Sequence, residues 1–399
     1  MSDGNTVSVA FSSAPRLTAL PPLSLYIHVP WCVRKCPYCD FNSHEAKGEL
    51  PERQYLDALA RDLESALPQI WGRKIHSVFF GGGTPSLLLA AALDEILVMV
   101  RALLPLESYT EITLEANPGT FEVEKFKRFR DSGVNRLSLG IQSFNPVHLQ
   151  ALGRIHDDSQ ARHAIEVAQK YFDNINLDLM YALPEQTLEE ALQDMRIALG
   201  FGVQHISAYH LTLEPNTLFH RYPPNLPDDD LAAEMQVVLQ QELATHGYEH
   251  YETSAFARPD KRCRHNLNYW RFGDYLGIGP GAHSKISLPD RMLRQMRYKQ
   301  PRAYLENAAL GKPVQTEQEI SRKEVGFEFM MNALRLTEGI PVSLFQQRTG
   351  YPLTLMQRSL NVAEQRGLIE RNHQHIAPTE LGQRFLNDLL QLFLSEDEP

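Results

Sequence analysis

Short apolar runs alternate with longer amphipathic stretches through the first half of this 399-residue chain. The runs cover 25–29, 77–80, 111–115, 136–141, 175–181 and 205–211, and each reads as a β-strand. Between them, stretches near 53–66, 87–104, 122–132, 159–172 and 187–200 space their apolar residues as helices do. Strands separated by helices of that length build βαβ units around a parallel sheet, and six repeats predict an α/β barrel, complete or partial. Beyond about residue 215 the alternation fades into a helix expected near 228–246, then a stretch dense in aromatics, glycines and histidines. From about 317 the pattern turns helical and closes on "GLIERNHQHIAPTELGQRFLNDLL", a hairpin signal before a last helix, in the manner of a winged-helix unit. The expected organisation is a flexible leader over 1–22, a barrel core over 23–215, a barrel extension over 216–315, and a C-terminal α+β domain over 316–399.

Polar and glycine-rich segments collect just after the strands: "GGGTP" (81–85), "EANPG" (115–119), "GIQSF" (140–144) and "DLMYALP" (178–184). In α/β barrels the site lies at those strand ends. The first strand is followed by "CVRKCPYC", which places Cys32, Cys36 and Cys39 in a C-x3-C-x2-C spacing on the same face. A Cys3His zinc site using His28 or His44 accounts for the loop but leaves the other strand ends unused. A [4Fe–4S] cluster with one open iron accounts for both, since that iron can chelate an amino and a carboxylate group, and S-adenosylmethionine offers the two together. Glycines at 81–83 allow close backbone approach. Glu115, Gln142, Arg154 and Asp178 can bond ribose hydroxyls or pair with the ligand's charged groups.

Composition narrows the setting. A net charge of −10 argues against a nucleic-acid surface, and 8 Lys and Arg against 12 Asp and Glu over 316–399 argue against DNA reading by the winged-helix-like domain. Four cysteines, three of them clustered, suit a metal site in a reducing compartment better than a disulfide framework. The N-terminal residues lack a signal-peptide pattern, and no window is long and apolar enough to span a bilayer, so a cytoplasmic location is expected. Oligomeric state is left open.

The C-x3-C-x2-C loop, "GGGTP" and the strand-end residues resemble the radical S-adenosylmethionine superfamily. "YIHVPWCVRKCPYCDF", "GGGTPS", "GIQSFN" and "DLMYALPEQT" resemble its anaerobic coproporphyrinogen III oxidase family in particular, over nearly the whole chain. The resemblance implies a partial (β/α)6 barrel with the cluster on Cys32, Cys36 and Cys39. It also implies adenosylmethionine contacts at Tyr26, Tyr38, Gly82, Gly83, Thr84, Glu115, Gln142, Arg154 and Asp178. The oxidase pattern carries a fourth cysteine two residues past the third, where this chain has Phe41, and a longer N-terminal arm. Both departures argue against oxidase activity. "HNLNYW" (265–270) is similar instead to the H-N-x-x-Y-W signature of the family's heme-chaperone branch, which implies heme as a ligand and acceptor hemoproteins as partners. A neutral imidazole can ligate heme iron and aromatic rings can pack on a porphyrin, so His265 is a candidate ligand with Tyr269 and Trp270 as its wall. His283 is a further candidate; Cys263 reads better as a buried thiol, and Asp274 and Tyr275 as structural.

Overall fold

The computed structural model describes residues 15–120 and 123–394. Six parallel strands follow one another as expected: β1 (Leu23–Val29), β2 (Ile75–Gly82), β3 (Leu106–Ala116), β4 (Arg136–Gln142), β5 (Ile175–Tyr181) and β6 (His205–His210). The helices between them are α1 (Glu52–Ile70), α2 (Ala90–Leu103), α3 (Val123–Ser132), α4 (Asp158–Tyr171) and α5 (Leu188–Gly200). The extension then adds β7 (Glu249–Glu252), β8 (Ala255–Ala257), β9 (Asp274–Ile278), β10 (His283–Ser287), β11 (Met292–Arg297) and β12 (Val314–Glu319). The resulting sheet runs β12-β11-β10-β9-β1-β2-β3-β4-β5-β6-β8-β7. β9 pairs parallel with β1, Leu23 opposite Asp274, while β10, β11 and β12 continue antiparallel. β8 and β7 flank β6 antiparallel on the other side.

Alternation along the strands decides which side is wet. In "RLSLGIQ", "INLDLMY" and "HISAYH" the residues Leu137, Leu139, Ile141, Ile175, Leu177, Leu179, Ile206 and Ala208 are buried in the core between sheet and helices. The intervening residues, among them Arg136, Ser138, Asn176, Asp178, Ser207 and Tyr209, turn to the opposite face. There they line one cavity together with Tyr26 of β1, Phe79 of β2 and Glu115 of β3. Residues of all six strands meeting around one space show that the sheet wraps into a partial barrel. Its lumen is polar, unlike the aliphatic layers that fill many α/β barrels.

Two buried charge clusters tie the extension to the barrel. Arg297 of β11 meets Asp62 of α1 at 3.2 Å, and Asp62 also accepts from Tyr304 at 2.9 Å. Asp274 of β9 joins Lys285 at 2.9 Å and Arg73 at 2.8 Å, the structural role expected of it. The C-terminal unit has its own core around Phe329, Phe345, Leu360 and Ile376. Its helices Arg322–Ala333, Val342–Thr349 and Gln357–Gln365 precede the hairpin Ile369–Arg371 and His375–Pro378, which Ile340–Pro341 completes as a three-stranded sheet. Of the expected leader, 1–14 lie outside the described residues. Leu17 packs on the C-terminal core, and the Pro22 carbonyl accepts from the Asp274 N–H at 2.9 Å.

Candidate cofactor site

The cysteine loop leaves β1, and Cys32, Cys36 and Cys39 all open on a cavity of about 360 Å³ at the C-terminal ends of the strands. Lys35 Nζ folds the loop on itself by donating to the carbonyls of Phe41 and Ser43 at 3.1 and 3.3 Å. The segment after β2 holds the loop in place. Gly83 N–H donates to Val29 O and Thr84 N–H to Trp31 O, both at 2.7 Å. A Cβ at Gly83 would stand 2.5 Å from Trp31 O, and one at Gly82, whose φ is +110°, 2.5 Å from the His28 ring. The "GGGTP" glycines therefore serve close approach to the cysteine loop as well as forming a wall of the cavity.

Facing the thiols are Glu115, Gln142 and Asp178 from β3, β4 and β5, with Arg154 from the segment before α4. Arg154 Nη1 donates to Cys36 Sγ at 3.7 Å, and its Nη2 donates to Gly140 O at 2.8 Å. Asn117, which the sequence reading passed over, links Arg154 to Thr84 by accepting from the first and donating to the second. Gln142 ends β4 in the left-handed region at φ +65°, sparsely populated by residues other than glycine, and its Oε1 is buried without a partner. Burial pushes the Glu115 carboxyl up to about 8, and the neighbouring Asp178 adds to the rise. Burial raises Asp178 too, against hydrogen bonds from Ser138 at 2.8 Å and Asn176 at 2.9 Å. Tyr38 and Thr84 also line this cavity, whereas Tyr26 belongs to the one below.

The donor set fits a cluster and a charged organic ligand. Three thiols, two carboxyls, a guanidinium and an unpartnered amide oxygen converge on a space within the range of small-molecule sites. A single zinc ion fits less well. His28 has one ring nitrogen 3.1 Å from Tyr26 Oη and the other 2.9 Å from Asn42 O, and burial holds its pKa down to about 4.

Beneath lies the second cavity, about 220 Å³, which shares Glu115, Ser138, Asp178 and Tyr209 with the first and reaches Arg136 and Asn176 at the opposite end of the strands. The helix Arg264–Trp270 closes its floor. His265, 2% exposed, sits 2.8 Å from Ser77 Oγ through Nδ1 and stacks on Phe79 with 4.8 Å between ring centroids. Its Nε2 has no partner, and burial pulls its pKa down to about 3, so the ring is neutral. Tyr269 meets His265 edge-on at 5.0 Å. Trp270 points the other way: it packs against the C-terminal core with the Arg335 guanidinium 4.3 Å over its ring. The structure thus brings Tyr269, but not Trp270, to His265. Cys263 is fully buried, and its thiol, raised to about 12 chiefly by burial, donates to Glu111 at 3.6 Å. His283 stands apart on β10, exposed, and lines neither cavity.

Comparison with known proteins agrees with this geometry. The Radical SAM superfamily profile matches residues 26–198, and the HemN C-terminal domain profile matches 320–385. The chain is 47% identical to the heme chaperone HemW of Escherichia coli (strain K12), covering 95% of this chain and all of that one. It is also 47% identical to the heme chaperone HemW of Haemophilus influenzae, over 95% and 99% of the two chains. The chain belongs to the HemW family. The solved coproporphyrinogen III oxidase HemN of Escherichia coli, a radical SAM enzyme, matches at a TM-score of 0.81 over 94% of this chain and 91% of that one. At 22% identity that likeness establishes the shared fold, and the expected partial radical-SAM barrel is borne out. HemW membership also bears out the branch read from Phe41 and "HNLNYW". No described helix is long and apolar enough to cross a membrane.

Proposed function

We propose that this protein carries a [4Fe–4S] cluster on Cys32, Cys36 and Cys39, takes S-adenosylmethionine into the adjoining cavity, and binds heme for delivery to acceptor hemoproteins in the cytoplasm. The observation that carries this reading is the single cavity shared by three thiols with Glu115, Gln142, Arg154 and Asp178, in a chain whose 47%-identical relatives are heme chaperones. A bound cluster supplies an open iron that chelates the amino and carboxylate groups of adenosylmethionine. Around it, Arg154 is fixed by Gly140 and Asn117 and holds Cys36, while Glu115 and Asp178 offer acceptors for hydroxyls.

Heme is cargo in this reading. The lower cavity is smaller than the pockets that take drug-sized ligands. His265 can therefore act as axial donor only when the segment Arg264–Trp270 swings away from the barrel floor. The other reading, conversion of coproporphyrinogen III, draws on the shared fold with HemN. Against it stands Phe41, which is 60% exposed on the cavity lining where the oxidase pattern has a cysteine.

Anaerobic purification with iron and sulfide quantified, followed by heme titration and transfer to an apo-hemoprotein, tests the proposal. One cluster per chain and heme appearing in the acceptor are expected. Protoporphyrinogen formed at enzyme-like turnover under reducing conditions would favour the oxidase instead.

A further inference from the structure

Arg136 lines the lower cavity and has no part in the cofactor binding proposed above. It is 2% exposed, on the lumen side of β4, and its Nε has no hydrogen-bond partner among the described residues. Glu111 and Asp178 act on it through space and not by direct hydrogen bonds. Both carboxylates are already engaged. Glu111 accepts from the N–H groups of Arg264 and His265, and Asp178 accepts from Ser138 and Asn176. A buried Nε–H left without an acceptor is unfavourable, so the space in front of it calls for one. The same space is lined by Asn266 and the phenols of Tyr209 and Tyr269, with the Asp178 carboxylate, engaged by Ser138 and Asn176, at its upper end. The cavity encloses about 220 Å³; on the scale of a cavity of about 150 Å³ that holds benzene, this is room for about nine heavy atoms, short of an adenosyl group or a porphyrin.

We infer that the lower lumen is a binding site for a small oxyanion, a carboxylate or bicarbonate, held by the Arg136 guanidinium and the Asn266 amide that face it. Planar oxyanions match the guanidinium fork in two parallel hydrogen bonds. Glu115, raised to about 8, is mostly protonated near neutrality and faces such a guest as a donor. Neither Arg136 nor Asn266 lines the cysteine cavity, so the site is distinct from the one proposed for adenosylmethionine.

The test titrates sodium formate, acetate and bicarbonate into the full-length, anaerobically purified protein, with sodium chloride at equal ionic strength as reference and citrate as an oversized control. Calorimetric binding and the thermal midpoint are both read. Saturable binding with a raised midpoint is expected for at least one of the three small anions, and none for citrate. Arg136→Gln should weaken that binding roughly tenfold or more, as loss of a charge-assisted pair does. Asn266→Leu, which removes the amide donor from the wall at similar size while leaving Arg136 in place, should also weaken it; this variant decides the matter if Arg136→Gln does not fold. Wild-type protein indifferent to all three anions would mean the lumen holds only water, overturning the inference. Undiminished binding in a folded Arg136→Gln or Asn266→Leu protein would overturn it as well.

Discussion

The carboxylate of Glu111 on β3 accepts the backbone N–H of His265 at 3.1 Å, across 154 positions of sequence. It also takes the Arg264 N–H at 3.2 Å, so a barrel strand caps the start of the Arg264–Trp270 helix in place of that helix's own N-cap side chain, which makes no such bond. Glu111→Gln retains one acceptor and loses the charge. It should lower stability by about 1–3 kcal/mol and speed heme uptake by freeing the floor, followed as thermal midpoint and Soret rise time. A lower midpoint with unchanged uptake would place heme away from His265.

His265→Ala removes the imidazole that opening of the floor would expose. It should shift the Soret band and weaken heme binding while leaving iron and sulfide content intact, because His265 lines the lower cavity and not the cysteine one. Trp270→Ala should alter heme binding less and stability more, since its ring packs on the C-terminal core.

Replacing Cys32, Cys36 and Cys39 together with Ala should abolish the cluster's visible absorbance. The thiols are partly exposed on a surface loop, so the barrel should keep its far-ultraviolet dichroism. Wild-type iron and sulfide in the triple variant would remove the cluster assignment.

Gly83→Val drives a branched side chain against the Trp31 carbonyl, 2.5 Å from where its Cβ must stand. Overpacking of this kind costs about 1–3 kcal/mol, and here the loop that carries the cysteines has to move. The expected result is loss of cluster retention during gel filtration together with a lower melting point. Normal retention at an unchanged melting point would show that the loop does not depend on this contact.

Stability in the absence of adenosylmethionine should depend on Glu115. Its carboxyl is raised to about 8 in the folded protein against an ordinary 4.5, so the fold binds a proton that the unfolded chain has released. Stability is therefore lost as pH rises from about 4.5 towards 8, by up to about 1.4 kcal/mol per pH unit for one group. Glu115→Gln has no such proton to lose, so its profile should be flatter across that window. Parallel wild-type and variant profiles in denaturant melts would argue that the folded carboxyl is not raised.

The strands and crossover helices were legible because their periods are local. The helix expected near 228–246 is found at Asp229–Thr245, for example. The cysteine spacing was equally plain. What the sequence hid were partnerships made in space. Glu111 sits in "YTEITLEA", where nothing beyond strand alternation marks it, and its role as a cap appears only when β3 meets a helix from the extension. Arg136 read as the start of an apolar run, and only the inward pleat of β4 shows that it faces a lumen. The separation of His265 from Trp270 was within reach: residues five apart on a helix point about 140° away from each other. Treating "HNLNYW" as one patch overlooked that geometry.

The parallel pairing of β1 with β9 has a consequence for how the molecule is made. One edge of β1, the strand that launches the cysteine loop, finds its neighbour only when the segment Asp274–Ile278 has left the ribosome. Until then the nascent barrel lacks the strand that covers this edge and the floor helix just ahead of it in the chain. Contacts so distant in sequence form slowly, and a chain synthesised from its N-terminus exposes its early strands in the meantime. Through that interval one edge of β1 stays unpaired, open to pairing with another chain.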